Sequence, residues 1–330
     1  MASDTREPRA GGPAPLFLAV QLPASGEPAT LVPRSIAALT GFAASGVGLA
    51  IIADDLLAAP VGRARIDAST LAAFAAPATR GIGLAPTVST THSEPFHLAK
   101  AVQTLDHVSL GRAAWQVSVS TSAEEAALFG RRPALDAAEA WAEAEEAIEV
   151  AGRLWDSWQD DAEIRDVATG RFIDRDRVHH IDFEGRFFSV RGPSIVPRSP
   201  QGRPPVIVSA THGPSLDVAV RRADIVRVAP DLVADARSGV ERAGRSGEAR
   251  VLVDLAVASA HSLGGTLRTL RQDTGADGAV LVFAKTPDAA DYADALAAVA
   301  GPERGTTLRD RLGLDRPASR YARTLEGARS

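Results

Sequence analysis

The feature that most constrains the fold of this chain is a regular alternation of short apolar runs with longer amphipathic segments. Eight runs of strand length occur, at 16–22, 47–54, 81–89, 112–120, 205–210, 223–229, 250–259 and 278–285. This alternation is typical of βαβ units and a parallel sheet. Eight units predict a closed α/β (β/α)₈ TIM barrel, with functional groups at the strand carboxyl ends. The alternative, an open doubly wound sheet, is disfavoured because no GxGxxG turn follows the first run.

Composition excludes several classes of function. The chain of 330 residues has a net charge of -5, which argues against a general nucleic-acid binder, and it has no cysteine for disulfides or thiol chemistry. Residues 1–15 are polar and lack the apolar core of a signal peptide, and no run approaches the ~18 apolar residues of a membrane span. We therefore expect a cytoplasmic protein with a disordered segment at 1–15 and a single barrel domain over 16–330, in which 302–330 form a tail.

The stretch 86–120 carries the strongest local signals. Residues 93–95 read Ser-Glu-Pro, which favours a helix start with proline in the first turn. The apolar residues that follow recur at helical spacing and predict a buried face: Phe96, Ala99, Val102 and Leu105. The helix is predicted to close at Gly111, and 115–119 to form the next strand.

The same stretch resembles the luciferase-like flavin monooxygenases, in the branch that contains nitrilotriacetate monooxygenase. That branch has a Thr-[Tyr/His]-[Asn/Ser]-Glu-Pro-[Tyr/Phe]-His element, followed by Leu-Asp-His-x-Ser-x-Gly-Arg-Ala-x-Trp. Here 91–97 read THSEPFH and 105–115 read LDHVSLGRAAW. The resemblance covers roughly 47–227 and 305–321 and is weak between 230 and 300. The chain is identified as a shortened, divergent member.

A long polar segment, 156–203, separates the fourth helix from the fifth strand. Such a length in a compact domain is typical of a functional excursion or a lid, placed over or beside the barrel. Residues 187–190 read as a short strand after the turn at Glu184 and Gly185, which predicts a hairpin.

The resemblance implies a function. It implies that reduced FMN, supplied by a separate flavin reductase, binds at the barrel mouth and is used with dioxygen to oxygenate a small organic substrate. It also implies a homodimer, which the alanine-rich second and third helices would allow. Two alternatives remain open: a degenerate, non-catalytic barrel that serves as a partner subunit, and an oxidoreductase that uses a deazaflavin.

Candidate site residues follow from strand ends and from the resemblance. Asp54 matches a flavin-contacting aspartate, or it is a loop or cap residue. Ser89 and Thr90 end the third strand, where their hydroxyls either reach the flavin or cap a turn. Gln116 stands where the family has an asparagine at the flavin edge, and a buried structural amide is the alternative. His92 is a candidate for a polar pocket wall.

Two further positions depart from the family pattern. Alignment of the fourth helix puts Ala137 and Trp141 where the family has a histidine and a tyrosine that reach the flavin. Trp141 also belongs to an apolar stripe that runs from Ala137 to Trp155, which favours an ordinary core position.

After the fifth strand, a loop stands where the family binds the FMN phosphate at a helix start. It contains Thr211, His212, Gly213 and Ser215. The alternative is a simple helix start, with Gly213 as N-cap and Pro214 in the first turn. The adjacent His179 and His180 would point in opposite directions on a strand and have no ligand-spaced partners, so no metal site is predicted.

Overall fold

The eight predicted strands form one closed parallel barrel. The computed structural model describes residues 16–322 except 58, 60, 274 and 302–304. The barrel strands, numbered in chain order, are β1 Phe17–Pro23, β2 Leu49–Ala53, β3 Gly83–Ser89, β4 Trp115–Ser118, β5 Val206–Ser209, β6 Ile225–Val228, β7 Arg250–Ala256 and β8 Gly278–Val282. Each strand pairs with its sequence neighbours, and β1 pairs with β8 in register Phe17↔Gly278 to close the barrel. The predicted TIM barrel is confirmed.

Helices surround the barrel and alternate with its strands. They are α1 Leu31–Ala44, α2 Ala68–Ala78, α3 Pro95–Val108, α4 Ala123–Phe129, α5 Ala137–Asp156, α6 Pro214–Arg222, α7 Val233–Arg242, α8 Ala260–Asp273, α9 Ala293–Ala297 and α10 Leu308–Leu312. The start of α3 is as predicted, with Pro95 in the first turn and the Glu94 side chain accepting a hydrogen bond from the His97 amide. Within the described part of the chain, no helix is long and apolar enough to cross a membrane.

The core has two layers. Side chains on the outer face of the strands pack against the helices, and an inner cluster fills the lower lumen of the barrel. Three leucines from the carboxyl-terminal part of the chain, Leu308, Leu312 and Leu314, belong to that inner cluster and close its amino-terminal end. The lumen is therefore a packed core and not a pore, as is usual for this architecture.

The segment 156–203 lies beside the barrel, which is one of its two predicted placements. It contains two antiparallel hairpins, Glu163–Asp166 with Arg171–Ile173 and Phe183–Glu184 with Ser189–Val190. The second is the predicted hairpin. Its turn packs on α5, because the Arg186 and Phe187 amides donate to the Glu146 carboxylate. The segment is thus part of the scaffold next to α3 and α5.

The division of the chain into a terminal segment and one domain stays a prediction. Residues 1–15, expected to be disordered, lie outside the described residues, as do 302–304 and 323–330 of the expected tail.

A buried carboxylate at the end of α5 joins this segment to the tail. Asp156 is fully buried and contacts three guanidinium groups, those of Arg198, Arg203 and Arg320. Arg198 and Arg203 come from the end of the segment 156–203, and Arg320 from the tail. One carboxylate therefore fixes three separate pieces of chain.

We predict that Asp156→Ala lowers the free energy of unfolding by about 3–5 kcal/mol, because Arg203 loses its carboxylate partner among the described residues and the buried Arg198 loses one of two. The matched control is Asp161→Ala, since Asp161 pairs with Arg177 at 2.7 Å but is 64% exposed. An exposed pair contributes at most about 1 kcal/mol. Urea unfolding measures both, and equal effects would contradict the assigned role of Asp156.

Candidate active site at the barrel mouth

The lumen changes from apolar to polar toward the carboxyl ends of the strands. Ala114, Ile225 and Leu252 belong to the buried inner cluster. Because strand side chains alternate, the residues two positions later also face the lumen, one layer nearer the mouth. Those residues are Gln116, Arg227 and Asp254. The mouth therefore has a polar floor, at the end of the barrel where enzymes of this architecture place their active sites.

Asp54 lies at the mouth, directly after β2, and its side chain already has protein partners. Its Oδ2 accepts a hydrogen bond from the Ala68 amide at 2.9 Å, at the start of α2. The Arg65 guanidinium lies 3.4 Å from Oδ1. Burial raises the pKa of Asp54. The predicted cap contact is present, and the carboxylate keeps acceptor capacity for a further hydrogen bond.

A cavity of about 170 Å³ lies on the β2–β4 side of the mouth. Its lining includes Asp54 and Ser89 together with seven further acidic or hydroxyl residues: Asp55, Asp67, Thr87, Ser93, Ser118, Ser120 and Glu125. The Ser89 hydroxyl accepts from the Thr91 amide at 3.3 Å, and the Thr90 hydroxyl lies 3.4 Å from the Ser118 carbonyl oxygen. The cavity is acidic and is smaller than the roughly 300 Å³ of a typical ligand pocket. It admits part of a ligand, whose remainder would lie across the open mouth.

His92 belongs to a hydrogen-bond chain at this rim. The Ser120 hydroxyl donates to Glu125 Oε2 at 2.5 Å, so its oxygen accepts from His92 Nε2–H at 3.3 Å. This network assigns the tautomer and leaves Nδ1 as the acceptor nitrogen, buried and with no hydrogen-bond partner among the described residues. Burial and the nearby Arg132 lower the pKa of His92, which keeps the ring neutral near pH 7. Phe129 stacks on the ring at 4.3 Å.

Gln116 is a buried amide, and its hydrogen bonds are directed into the barrel. Its Oε1 accepts from Arg227 Nη1 at 2.8 Å, and its Nε2 donates to the Val117 carbonyl at 3.0 Å. Arg227 in turn forms a two-bond ion pair with Asp254. Sequence reasoning missed Arg227 and Asp254. The available signal was a charged residue in the middle of each of two largely apolar runs.

The loop after β5 folds as a helix start. Gly213 is the N-cap of α6, with φ 74°, and Pro214 is in the first turn, as the alternative interpretation predicted. The Ser215 hydroxyl accepts from the Thr211 amide at 3.0 Å, and the two hydroxyl oxygens are 3.2 Å apart. Thr211, His212 and Gly213 are exposed. No side chain caps α6, Pro214 has no N–H and the Asp217 amide donates to the Gly213 carbonyl, so the Ser215 and Leu216 amides are the ones left for an anion.

Trp141 stands apart from the lumen residues. It is half-buried and packs against the outer core between strands and helices. The predicted apolar stripe holds from Ala144 onward but is wrong at Ala137, which is exposed as the first residue of α5. The Asp136 side chain caps the helix there by accepting from the Glu139 amide at 2.8 Å. The helix start therefore places Ala137 in solvent.

A larger cavity of about 450 Å³ lies at the opposite end of the barrel, near the starts of β5 and β6. Six arginines line it, and each already contacts a carboxylate of the protein: Arg203, Arg221, Arg222, Arg245, Arg309 and Arg320. Among the residues described, no group of three or more acidic or histidine side chains is arranged to hold a metal ion. The mouth is therefore the stronger candidate site.

Comparison with known proteins decides the family. The model of the luciferase-like monooxygenase family matches residues 45–301. The chain belongs to this family. The match includes 230–300, where the motifs read from the sequence were weak, and it confirms the predicted family.

Among relatives, nitrilotriacetate monooxygenase component A of Aminobacter aminovorans is 38% identical over 184 residues, which are 56% of this chain and 41% of that protein. One of the pristinamycin IIA synthase subunits of Streptomyces pristinaespiralis is 37% identical over 306 residues, which are 90% of this chain and 97% of that protein. Other relatives named as monooxygenases are matched over only 30–37% of their length. EDTA monooxygenase from Chelativorans sp. BNC1 shares the fold, with a TM-score of 0.79 at 21% identity, over 92% of this chain and 99% of that one.

We predict two separable effects for Asp54→Ala. Loss of the Ala68 contact should lower the free energy of unfolding by about 1 kcal/mol, because a helix start loses an acceptor. If the free oxygen lone pairs also bind FMN, affinity for FMN should fall roughly tenfold, the equivalent of one hydrogen bond.

The control for Asp54→Ala is Asp136→Ala, which removes the N-cap acceptor of α5, 2.8 Å from the Glu139 amide, and lies outside the lining of the acidic cavity. Urea unfolding and flavin fluorescence titration report the two effects. Equal FMN affinities in the two variants would show that Asp54 acts only as a cap.

Proposed function

We propose that this chain is a flavin-dependent oxygenase that binds reduced FMN at the barrel mouth and acts on a small organic substrate. The observation that carries the proposal is the polar mouth above an apolar lumen, in a chain of the luciferase-like monooxygenase family. Bound reduced FMN would supply the activation of dioxygen. The residues of this chain would bind, orient and shield it.

The phosphate end of FMN fits the loop after β5. The open amides at the start of α6 and the exposed Thr211 hydroxyl can receive a phosphate. Nothing lies within 4 Å of a Cβ built on Gly213, so an anion can approach the backbone there. The polyol part of FMN fits the acidic cavity, where Asp54 accepts and Ser89 provides a hydroxyl; Thr90 is buried outside its lining. Gln116 and Trp141 are not part of this fit, since one is engaged with Arg227 and the other packs outside the lumen.

Reduced FMN would come from a separate flavin reductase. Support comes from the relative named as component A of nitrilotriacetate monooxygenase, a name that denotes one component of a larger enzyme. The deazaflavin alternative has weaker support. F420-dependent enzymes are among the solved structures of similar fold, but at 16% and 12% identity they share the fold alone.

A second candidate function is that of a partner subunit. The pristinamycin IIA synthase subunit described above matches nearly from end to end. A different subunit of the same synthase, at 36% identity, is matched over only 40% of its length. A short barrel that pairs with a longer luciferase-like chain would fit this pattern. The role of partner subunit is also favoured by the small size of the acidic cavity and by the hydrogen bond that occupies Gln116 with Arg227.

Anaerobic titration of the purified chain tests the first candidate. We predict that it binds reduced FMN, and that Gly213→Ala weakens this binding at least tenfold. Alanine is strained at φ 74°, so the loop must shift away from the phosphate.

The matched control is Gly244→Ala, because Gly244 has φ 70° and equally open surroundings but lies after α7. Equal FMN affinity in both variants would reject the phosphate site. Binding of FMN only after a longer family member is added would favour the partner subunit.

The homodimer predicted from the sequence also remains a proposal. The outward face of α2 presents Phe74, which is 62% exposed, among small residues. An exposed phenylalanine beside alanines allows two helices to pack closely.

We predict that Phe74→Asp converts a dimer of about twice the 34.4 kDa chain mass to a monomer. Burial of an aspartate at an apolar contact would leave an unpaired charge. Light scattering measures the mass, with Phe172→Asp as control, since Phe172 is 58% exposed on the hairpin beside the barrel. A wild-type chain that is monomeric at micromolar concentration would contradict the proposal.

A further inference from the structure

Arg227 is a charged residue in the lumen of the barrel. It is the third residue of β6 and is only 2% exposed, and the other three residues of this strand are apolar and buried. Ile225, two positions earlier, belongs to the inner cluster, so Arg227 lies in the next layer toward the mouth. A buried guanidinium needs hydrogen-bond partners to offset its loss of water.

Two side chains hold this guanidinium in place. Arg227 Nε and Nη2 donate to the two carboxylate oxygens of Asp254, each at 3.0 Å. Arg227 Nη1 donates to Gln116 Oε1 at 2.8 Å. A guanidinium has five N–H groups. Two therefore remain, one on each terminal nitrogen, and neither has an acceptor among the described residues.

The ion pair is reached from the mouth. The Asp254 side chain is 26% exposed, whereas the layer below Arg227 is closed by buried apolar residues. Neighbouring inward positions of the same layer are polar and are half-buried or exposed: Gln21, Thr87 and Ser209. The open side of the guanidinium is therefore the side on which a ligand in the mouth would lie.

A purely structural role accounts poorly for this arrangement. A buried ion pair is often no more stabilising than well-packed apolar residues of similar volume. The layer just below shows that apolar side chains fill this lumen. A guanidinium fixed by three hydrogen bonds, with donors left over, is instead the arrangement that recognises planar anions through two parallel bonds.

We propose that Arg227 is the anion-recognising residue of the mouth, and that Gln116 and Asp254 are its positioning residues. The group it receives is a planar anion with two adjacent acceptor atoms. Two sources present such a group: a carboxylate of the organic substrate, and the pyrimidine edge of a flavin that carries negative charge when reduced. The inference rests on the proposed function only in placing the ligand in the mouth.

The experiment uses three variants of the full chain. Arg227→Leu/Asp254→Leu removes both charges without leaving one unpaired. Arg227→Lys keeps the charge opposite Asp254 but lacks the planar group that donates two parallel hydrogen bonds. It remains informative if the first variant fails to fold. The control is Arg186→Leu/Glu139→Leu, which removes an exposed ion pair of 2.6 Å outside the mouth.

Three probes separate the two sources. Benzoate binding to the flavin-free protein is measured by calorimetry, and oxidised and reduced FMN are titrated anaerobically. A tenfold or greater loss of benzoate affinity in both Arg227 variants assigns the site to a substrate carboxylate. A tenfold or greater fall in the preference for reduced over oxidised FMN assigns it to the flavin ring. The control should stay within twofold of wild type for all three probes.

The inference is overturned if both Arg227 variants bind every probe within twofold of wild type, or if wild type binds none of them. These outcomes separate it from the proposed function. Tight binding of reduced FMN, with no probe sensitive to Arg227, rejects the inference and keeps the function. If benzoate binding depends on Arg227 but FMN binds in neither redox state, the inference is kept and the proposed function is rejected.

Discussion

The architecture depends on one buried guanidinium at the amino-terminal end of the barrel. Arg112 Nε donates to the Ser109 carbonyl at 2.8 Å and Nη1 to the Ile82 carbonyl at 2.7 Å. Its Nη2 reaches the carbonyls of Ala76 and Thr79 at the end of α2. Burial lowers the pKa of Arg112, but an arginine remains protonated in a protein. One side chain thus satisfies four buried carbonyls that link α2, β3 and the turn before β4.

A buried aspartate completes this region. Asp106 accepts from the Ala113 amide at 3.1 Å and from Gln201 Nε2 at 2.6 Å, and burial raises its pKa. The Gln201 Oε1 in turn accepts from the Arg309 amide at 2.9 Å. The turn before β4, the end of the segment 156–203 and α10 are therefore held by one hydrogen-bonded network. Such a network stabilises the fold only when every member is satisfied.

These contacts explain why the sequence predicted the fold better than it predicted the site. The motif over 105–115 carried the family resemblance, and its polar residues Asp106 and Arg112 hold the end of the barrel opposite the mouth. It therefore predicted the fold well and the site poorly. Asp54, Ser89 and Thr90 were correctly placed at the mouth because strand ends can be read from apolar runs. Arg227 was missed, since β6 is buried on both faces and its four residues give no sign of which side faces the lumen.

The mouth is electrostatically asymmetric, and this asymmetry limits how a ligand can lie in it. The β2–β4 side carries the carboxylates of Asp54, Asp55, Asp67 and Glu125 around one cavity. The open amides of α6 follow β5, and Arg227 lies on β6, the neighbouring strand. A phosphate would be favoured by the open amides on the second side, whereas hydroxyl and N–H donors would favour the first, where Arg65 pairs with only two of the four carboxylates. An elongated ligand with a phosphate at one end is therefore most favourably placed with the phosphate over β5 and its hydroxyl donors over β2 to β4.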